Sequence, residues 1–199
     1  MWGAKVYSLS ELEIIAQKCN RCPLAKTRTN VVFGEGSPEN TIMFIGEGPG
    51  YHEDQLGKPF VGKAGLLFDK MLAAIDLTRK DIYITNIVKC RPPNNRNPSE
   101  AEGEKCLDFL RWQVKIVDPK IIVCLGAVAA KKIIRKDFKI TTERGIWYQR
   151  GKFRIMATYH PAALLRDSNK KGEAWEDWQA IKQMYLKLSS KLPIEKNEE

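Results

Sequence analysis

The chain has 199 residues, of which 43% are hydrophobic and 29% are charged. This composition is that of a globular domain and argues against a disordered chain, and no apolar run approaches the ~20 residues that a membrane-spanning helix needs. The formal net charge of +9 favours an acidic partner, most commonly nucleic acid. We therefore expect one domain over residues 1–199, with no signal peptide and no membrane contact, in the cytoplasm.

Apolar runs of strand length alternate with helical patterns along the chain. An N-terminal helix is predicted from Ser10, because Glu13 follows at the spacing of a capping box. The other predicted helices are Ala64 to Ile75, Asn97 to about Val117, Gly126–Lys136 and about Glu173–Leu188. The predicted strands are Ile42–Ile45, Ile82–Val88, Ile121–Leu125 and Phe153–Thr158, and the polar tail 193–199 is expected to fray. The alternation predicts an α/β fold, a three-layer αβα sandwich around a central, mostly parallel four-stranded sheet.

Three unusual segments lie at or near the ends of predicted strands. Gly46-Glu47-Gly48-Pro49-Gly50 follows the first strand, Asn86 lies near the end of the second, and His160-Pro161 follows the fourth. Because ligands of such sheets bind at the carboxyl ends of the strands, the three segments predict one site. The glycines also fit a plain tight turn, and a lone histidine is more often structural. The loop Leu164-Leu165-Arg166 fits either core anchors or apolar wedges that enter a DNA stack.

Four of the five cysteines look like a set, with Cys19 and Cys22 as C-x-x-C and with Cys90 and Cys106 further along. Four thiolates bind either zinc or a [4Fe–4S] cluster. The wide spacing of the second pair departs from zinc ribbons, and a redox C-x-x-C leaves Cys90 and Cys106 unexplained. Cys124 lies inside an apolar strand and is expected to be a small buried hydrophobe.

Taken together, these segments resemble the family 4 uracil-DNA glycosylases, the iron–sulfur, thermophile-type branch of their superfamily. With the Cys19 and Cys22 pair, four blocks match in order over nearly the whole chain. The blocks are Gly46–Gly50 with Glu53-Asp54, Gly57–Gly65, Thr85–Pro93 and His160–Arg166. The resemblance implies excision of uracil from DNA and a structural [4Fe–4S] cluster held by Cys19, Cys22, Cys90 and Cys106.

The resemblance also implies a role for each site residue. Phe60 would stack on the flipped-out uracil, Asn86 would pair with its Watson–Crick edge, and His160 would stabilise charge that develops on O2. Glu47 would position or activate water at C1′. Gly48 would lie beside the base, and Glu53 would crowd out the methyl group of thymine at C5. The Leu164-Leu165-Arg166 loop would fill the gap left in the DNA.

Other functions stay open on the sequence alone. One is a non-catalytic DNA-binding module with structural zinc, and another is an iron–sulfur electron carrier. A third is a sister glycosylase that acts on other deaminated bases, such as hypoxanthine or xanthine. The expected partner is uracil-containing DNA, single- or double-stranded, and the expected state is a monomer. A replication clamp is a further candidate partner, for which the termini carry no persuasive motif.

Overall fold

The computed structural model describes residues 7–189, and the predicted frayed tail lies outside them. The strands are β1 Ile42–Gly46, β2 Ile82–Asn86, β3 Ile121–Leu125, β4 Tyr148–Arg150 and β5 Phe153–Thr158. The helices are α1 Leu9–Gln17, α2 Tyr51–Leu56, α3 Lys63–Ala73, α4 Glu100–Val117, α5 Ala127–Ile133, α6 Ile140–Glu143, α7 Pro161–Arg166 and α8 Lys171–Ser189. Single 3-10 turns cover Pro23–Lys26, Arg79–Asp81, Pro93–Asn95 and Ser168–Lys170. Within the described residues, no helix is long and apolar enough to cross a membrane.

The strands form one sheet in the order β2-β1-β3-β5-β4. The first four are parallel, and β4 runs antiparallel to β5 at the edge. The prediction of a mostly parallel sheet is confirmed, but the predicted count of four is one strand short. The missed strand, β4, has only three residues, one partly buried and two exposed, too few to produce a period-two hydrophobic pattern. Strand β2 ends at Asn86, two residues before the predicted end at Val88.

Helices cover both faces of the sheet, as the three-layer prediction requires. Alternate strand residues point to opposite faces, so Met43 and Phe44 belong to two separate hydrophobic clusters. The cluster around Met43 includes buried residues of α1, α4 and α5, and the cluster around Phe44 includes those of α3 and α8. The carboxyl ends of the four parallel strands therefore meet at one open edge between the two helical layers.

Several helix boundaries differ from the predicted ones. The capping box of α1 is Ser8 with Glu11, not Ser10 with Glu13. Helix α4 begins after Ser99, whose hydroxyl accepts a hydrogen bond from Glu102, and not at Asn97. In both places the sequence offers two polar cap candidates two residues apart, and local pattern does not rank them.

The last helix carries most of the predicted core stripe. Trp178 and Ile181 are fully buried, and Tyr185 and Leu188 pack partly buried against the same cluster. Trp175 departs from the prediction, because 46% of its surface is exposed. The neighbouring Ala174, which is 1% exposed, takes the buried position at this end of α8 instead.

Candidate active site and cysteine pocket

The carboxyl edge of the sheet brings three predicted site residues together. Gly46 pairs with Asn86 in the β1–β2 register. A methyl group at Gly46 would overlap the Asn86 side-chain oxygen and would lie 2.8 Å from the Phe60 ring. The Phe60 ring in turn stacks on the His160 imidazole at a centroid distance of 5.5 Å and an angle of 30°. The absence of a side chain at Gly46 therefore leaves room for Asn86 and Phe60 to meet.

Asn86 presents an acceptor that no described residue uses. The residue is 2% exposed, and its Oδ1 has no hydrogen-bond partner within residues 7–189. An unpaired buried acceptor costs about 1–3 kcal/mol, so such atoms are rare in folded proteins and mark places where a ligand supplies the donor. The Asn86 amide is therefore suited to receive an N–H group from a bound molecule.

Phe60 is held in a left-handed conformation, with φ of 53°. A non-glycine residue in this region costs on the order of 1–3 kcal/mol and persists only where its surroundings fix it. Arg79 supplies part of the fixation, since its guanidinium donates to the carbonyl of Pro59 at 3.0 Å and to the carbonyl of Phe60. Gly65 leaves the space that this conformation needs, because a methyl group there would overlap the Phe60 carbonyl.

Glu53 fixes the same turn from its other side. Its Oε1 accepts the N–H groups of Val61 at 2.9 Å and Gly62 at 2.8 Å. The described contact of Glu53 is thus with the backbone that carries Phe60, and its role at C5 of the base stays a prediction. Sequence reasoning missed Arg79, whose local sequence carries no signal, and assigned no role to Gly65, although it recognised the glycine-rich block.

His160 is the N-cap of α7, and its Nδ1 accepts the backbone N–H of Ala162 at 3.1 Å. Burial lowers the pKa of His160 to about 4, the nearby Arg166 lowers it further, and Glu53 opposes the shift. The ring is therefore neutral near pH 7, and its one proton is on Nε2 because Nδ1 is an acceptor. A neutral Nε2–H beside the Phe60 ring is a fixed hydrogen-bond donor.

Glu47 lies half-buried in the loop after β1. Burial raises the pKa of its carboxyl group above the ordinary value, and the charge of Arg166 partly offsets this. Gly48 in the same loop packs against Val88, because a methyl group added to Gly48 would lie 2.7 Å from Val88 Cγ2. Glu47, His160 and Arg166 therefore share one electrostatic environment at the edge of the sheet.

The predicted Leu164-Leu165-Arg166 loop is instead the last turn of helix α7. Leu164 is 3% exposed and packs with Tyr159 and Ala174, so it is a core residue, and the prediction that it enters DNA does not fit this packing. Leu165 is 52% exposed, and Arg166 is exposed beside it. Only these two of the three residues face solvent.

The four predicted cysteine ligands line one pocket. Cys19 and Cys22 follow α1, Cys90 follows β2, and Cys106 lies in α4, and all four are free thiols. The predicted burial of Cys124 is confirmed, and it lies apart in β3. No three His, Cys, Asp or Glu side chains of residues 7–189 are spaced for a single metal ion.

Groups around the cysteine pocket suit thiolates. Arg28 donates from Nη1 to Cys90 Sγ at 3.3 Å, and the Lys89 N–H donates to Cys106 Sγ at 3.3 Å. Burial raises the pKa of Cys90 to about 11 in the ligand-free thiol, and the Arg28 guanidinium opposes this. Four soft donors with N–H groups directed at two of the sulfurs fit an iron–sulfur cluster.

Lys89 lies between the cysteine pocket and Asn86, and sequence reasoning gave it no role. Its side chain is 1% exposed, and its Nζ donates to Thr85 Oγ1 at 2.6 Å, to the Asn86 carbonyl at 2.7 Å and to Gln113 Oε1 at 2.6 Å. Burial lowers the pKa of Lys89 to about 7, and the neighbouring Cys106 and Cys90 oppose this. Gln113 extends the network to the Phe33 carbonyl and the Tyr83 hydroxyl.

Comparison with known proteins shows the family to which the sequence of this chain belongs. Residues 33–179 match the model of the uracil DNA glycosylase superfamily. A type-4 uracil-DNA glycosylase of Thermotoga maritima is 46% identical over 81% of this chain and 88% of its own length. The protein of the same name from Archaeoglobus fulgidus is 44% identical over 87% of this chain and 92% of its own length. The one from Pyrobaculum aerophilum is 42% identical over 85% of this chain and 90% of its own length.

Proposed function

This chain belongs to the uracil-DNA glycosylase superfamily, and we propose that it hydrolyses the N-glycosidic bond of uracil in DNA to give free uracil and an abasic site. The observation that carries the proposal is the buried Asn86 Oδ1, which lacks a donor among the described residues and lies next to an aromatic ring over Gly46. The names of the similar type-4 enzymes support the same activity.

Uracil is recognised by complementary hydrogen bonds in this proposal. The Asn86 amide oxygen accepts from N3–H, and the amide nitrogen donates to O4, while the Phe60 ring stacks on the face of the base. Cytosine carries an acceptor at N3 and a donor at N4, so it leaves both groups of the amide unpaired. A site that depends on buried hydrogen bonds rejects such an analogue strongly.

Bond cleavage relies on His160 and Glu47. As the bond to C1′ breaks, negative charge accumulates on uracil O2, and the Nε2–H of the neutral His160 donates to it. A donor that is already oriented requires no reorganisation when the charge develops. The half-buried Glu47 carboxylate holds the water that attacks C1′, which fits its place in the loop beside Arg166.

DNA is the macromolecular partner in this proposal. The net charge of +9 favours the phosphate backbone, and extraction of the base from the stack costs a few kcal/mol. Leu165 is the exposed apolar side chain that enters the gap, and Arg166 beside it pairs with a phosphate. The monomeric state, the cytoplasmic location and a replication-clamp partner stay predictions from the sequence.

Cys19, Cys22, Cys90 and Cys106 would hold a [4Fe–4S] cluster that supplies a structural cross-link. The four residues join α1, the segment after β2 and α4, so the bound cluster would tie these elements together. Replacing Cys90 by serine should lower the yield of soluble protein more than the activity per folded molecule. A well-folded but inactive C90S protein would contradict this structural role.

The test is release of free uracil from a U·G duplex, with a T·G duplex as the substrate control and with iron and zinc measured in the same protein. Iron-containing protein should release uracil and leave thymine. Asn86→Ala should lower the rate and the selectivity for uracil together, and Asn169→Ala, at an exposed asparagine outside the site, should keep both. Iron-loaded protein that binds the duplex but releases no uracil would overturn the proposal and direct the search to other deaminated bases. Zinc in place of iron would overturn the cluster alone.

A further inference from the structure

The structure links the base-binding edge to the cysteine pocket through one buried side chain, Lys89. The residue is three positions after Asn86 and directly before Cys90. Its backbone N–H donates to Cys106 Sγ, and its side chain returns beneath the sheet edge to the Asn86 carbonyl. One residue therefore contacts both sites.

The ammonium group of Lys89 is completely satisfied by its surroundings. An ammonium has three N–H donors, and each has an acceptor at 2.6–2.7 Å in Thr85, Asn86 and Gln113. Desolvation of a buried charge costs several kcal/mol, and even when hydrogen bonds offset it, an apolar residue of similar volume is often at least as stabilising, so stability alone does not favour a lysine here. This cost points to a function for the residue beyond filling the core.

The acceptor at Asn86 is a main-chain carbonyl at the point where β2 ends. The peptide that follows Asn86 has two supports, because the Ile87 N–H donates to the Gly46 carbonyl at 2.9 Å and the Asn86 carbonyl accepts from Lys89 Nζ at 2.7 Å. Thr85 and Gln113, the other two acceptors, are themselves tied to the Phe33 carbonyl. The ammonium group thus anchors the Asn86 backbone to a rigid, fully buried network.

We propose that Lys89 is a positioning residue for base recognition, which holds the Asn86 backbone so that the side-chain amide faces the base and joins this site to the cysteine pocket. The proposal rests on the proposed function, because it assigns Asn86 to the base. It names no step of the reaction for Lys89 itself.

The test compares Lys89→Met with Lys105→Met. Methionine keeps an unbranched apolar stem but removes all three donors. Lys105 is exposed and also lines the cysteine pocket. Its substitution removes a cation from the pocket but leaves the hydrogen bond between Lys89 Nζ and the Asn86 carbonyl in place. Affinity for free uracil, measured by calorimetry, reports on the base site without turnover, and iron per chain reports on the cysteine pocket.

Lys89→Met should bind free uracil about 10- to 100-fold more weakly than wild type at unchanged iron content, while Lys105→Met should bind as wild type does. In a double-mutant cycle on kcat/KM, Lys89→Met should cost little in an Asn86→Ala background, because its effect acts through Asn86. Full additivity, or wild-type uracil affinity in Lys89→Met, overturns the proposal.

Lys89→Met leaves buried acceptors unpaired, so Thr85→Val provides a milder second variant. It removes one of the three acceptors and should weaken uracil binding in the same direction, whereas wild-type affinity in Thr85→Val overturns the proposal. Wild-type protein that neither binds nor releases uracil would instead overturn the proposed function, so the two failures are distinguishable.

Discussion

Gly46→Ala is the sharpest perturbation of the base site, because it adds one methyl group where Asn86 and Phe60 meet. The backbone of Gly46 is not in the left-handed region, so alanine is compatible with the strand. The added Cβ would overlap Asn86 Oδ1 and would lie 2.8 Å from Phe60 Cζ. Either the amide or the ring must move, and both lie in a packed region with little room.

Overpacking of this kind costs about 1–3 kcal/mol of folding free energy, which a domain of ordinary stability tolerates. Displacing the amide forfeits two hydrogen bonds to uracil in the transition state, about 2–4 kcal/mol together, which corresponds to ~30- to 1000-fold in kcat/KM. The DNA phosphate contacts are unaffected, so affinity for undamaged duplex should stay at the wild-type value.

The assay is uracil release under single-turnover conditions, with DNA binding, iron content and the unfolding midpoint measured on the same samples. Gly172→Ala is the matched control, since a Cβ there meets no atom within 4 Å. A folded Gly46→Ala protein that releases uracil at the wild-type rate would refute the assignment of Asn86 and Phe60 to the base.

Three further outcomes follow from the same geometry. Asn86→Ala should lower the rate and the selectivity for uracil together. It should cost little unfolding free energy in urea titrations, because it deletes an unpaired buried acceptor. A wild-type rate of uracil release would remove Asn86 from the site. Arg79→Met should lower kcat/KM about tenfold, because the carbonyl groups of Pro59 and Phe60 lose the hydrogen bonds that hold the Phe60 turn. An equal loss of kcat/KM in the exposed Lys80→Met control would contradict this reason. Burial lowers the pKa of His160 to about 4, so the stability that its neutral form contributes is present above pH ~6.5 and is lost as the pH falls towards 4, by at most about 3 kcal/mol. Unfolding titrations at pH 7 and 4.5 should therefore show a smaller acid loss in His160→Asn than in wild type, with His52→Asn as control.

The sheet was predictable because its central strands are continuous apolar runs flanked by periodic helices. Ile121–Leu125 is buried at every position, and this is the pattern of a strand covered on both faces. The edge strand β4 was not predictable, because partial exposure and three residues leave no periodic signal. Helix α7 was taken for a loop, since six residues after His160-Pro161 are too few to separate a helical period from a turn.

The side chains proposed to contact a base were easier to identify than the side chains that hold them. Asn86 and His160 lie at the ends of strands, where topology alone predicts a site. Arg79 and Gln113 act over long separations, since Arg79 reaches Phe60 across 19 residues and Gln113 reaches Lys89 across 24. Contacts of this kind arise only when the chain is folded, and neither residue lies in a recognisable motif.

The proposed base site therefore contains a strained residue and is held by polar groups on two sides. Phe60 is kept at positive φ by Arg79 and Glu53, and the Asn86 carbonyl is held by Lys89. Each support fixes main-chain atoms and leaves the Phe60 and Asn86 side chains without a hydrogen bond to it. Because a hydrogen-bonding site selects its base only if donors and acceptors stay in place before the base arrives, we expect these supports to affect selectivity together with the groups proposed to contact the base.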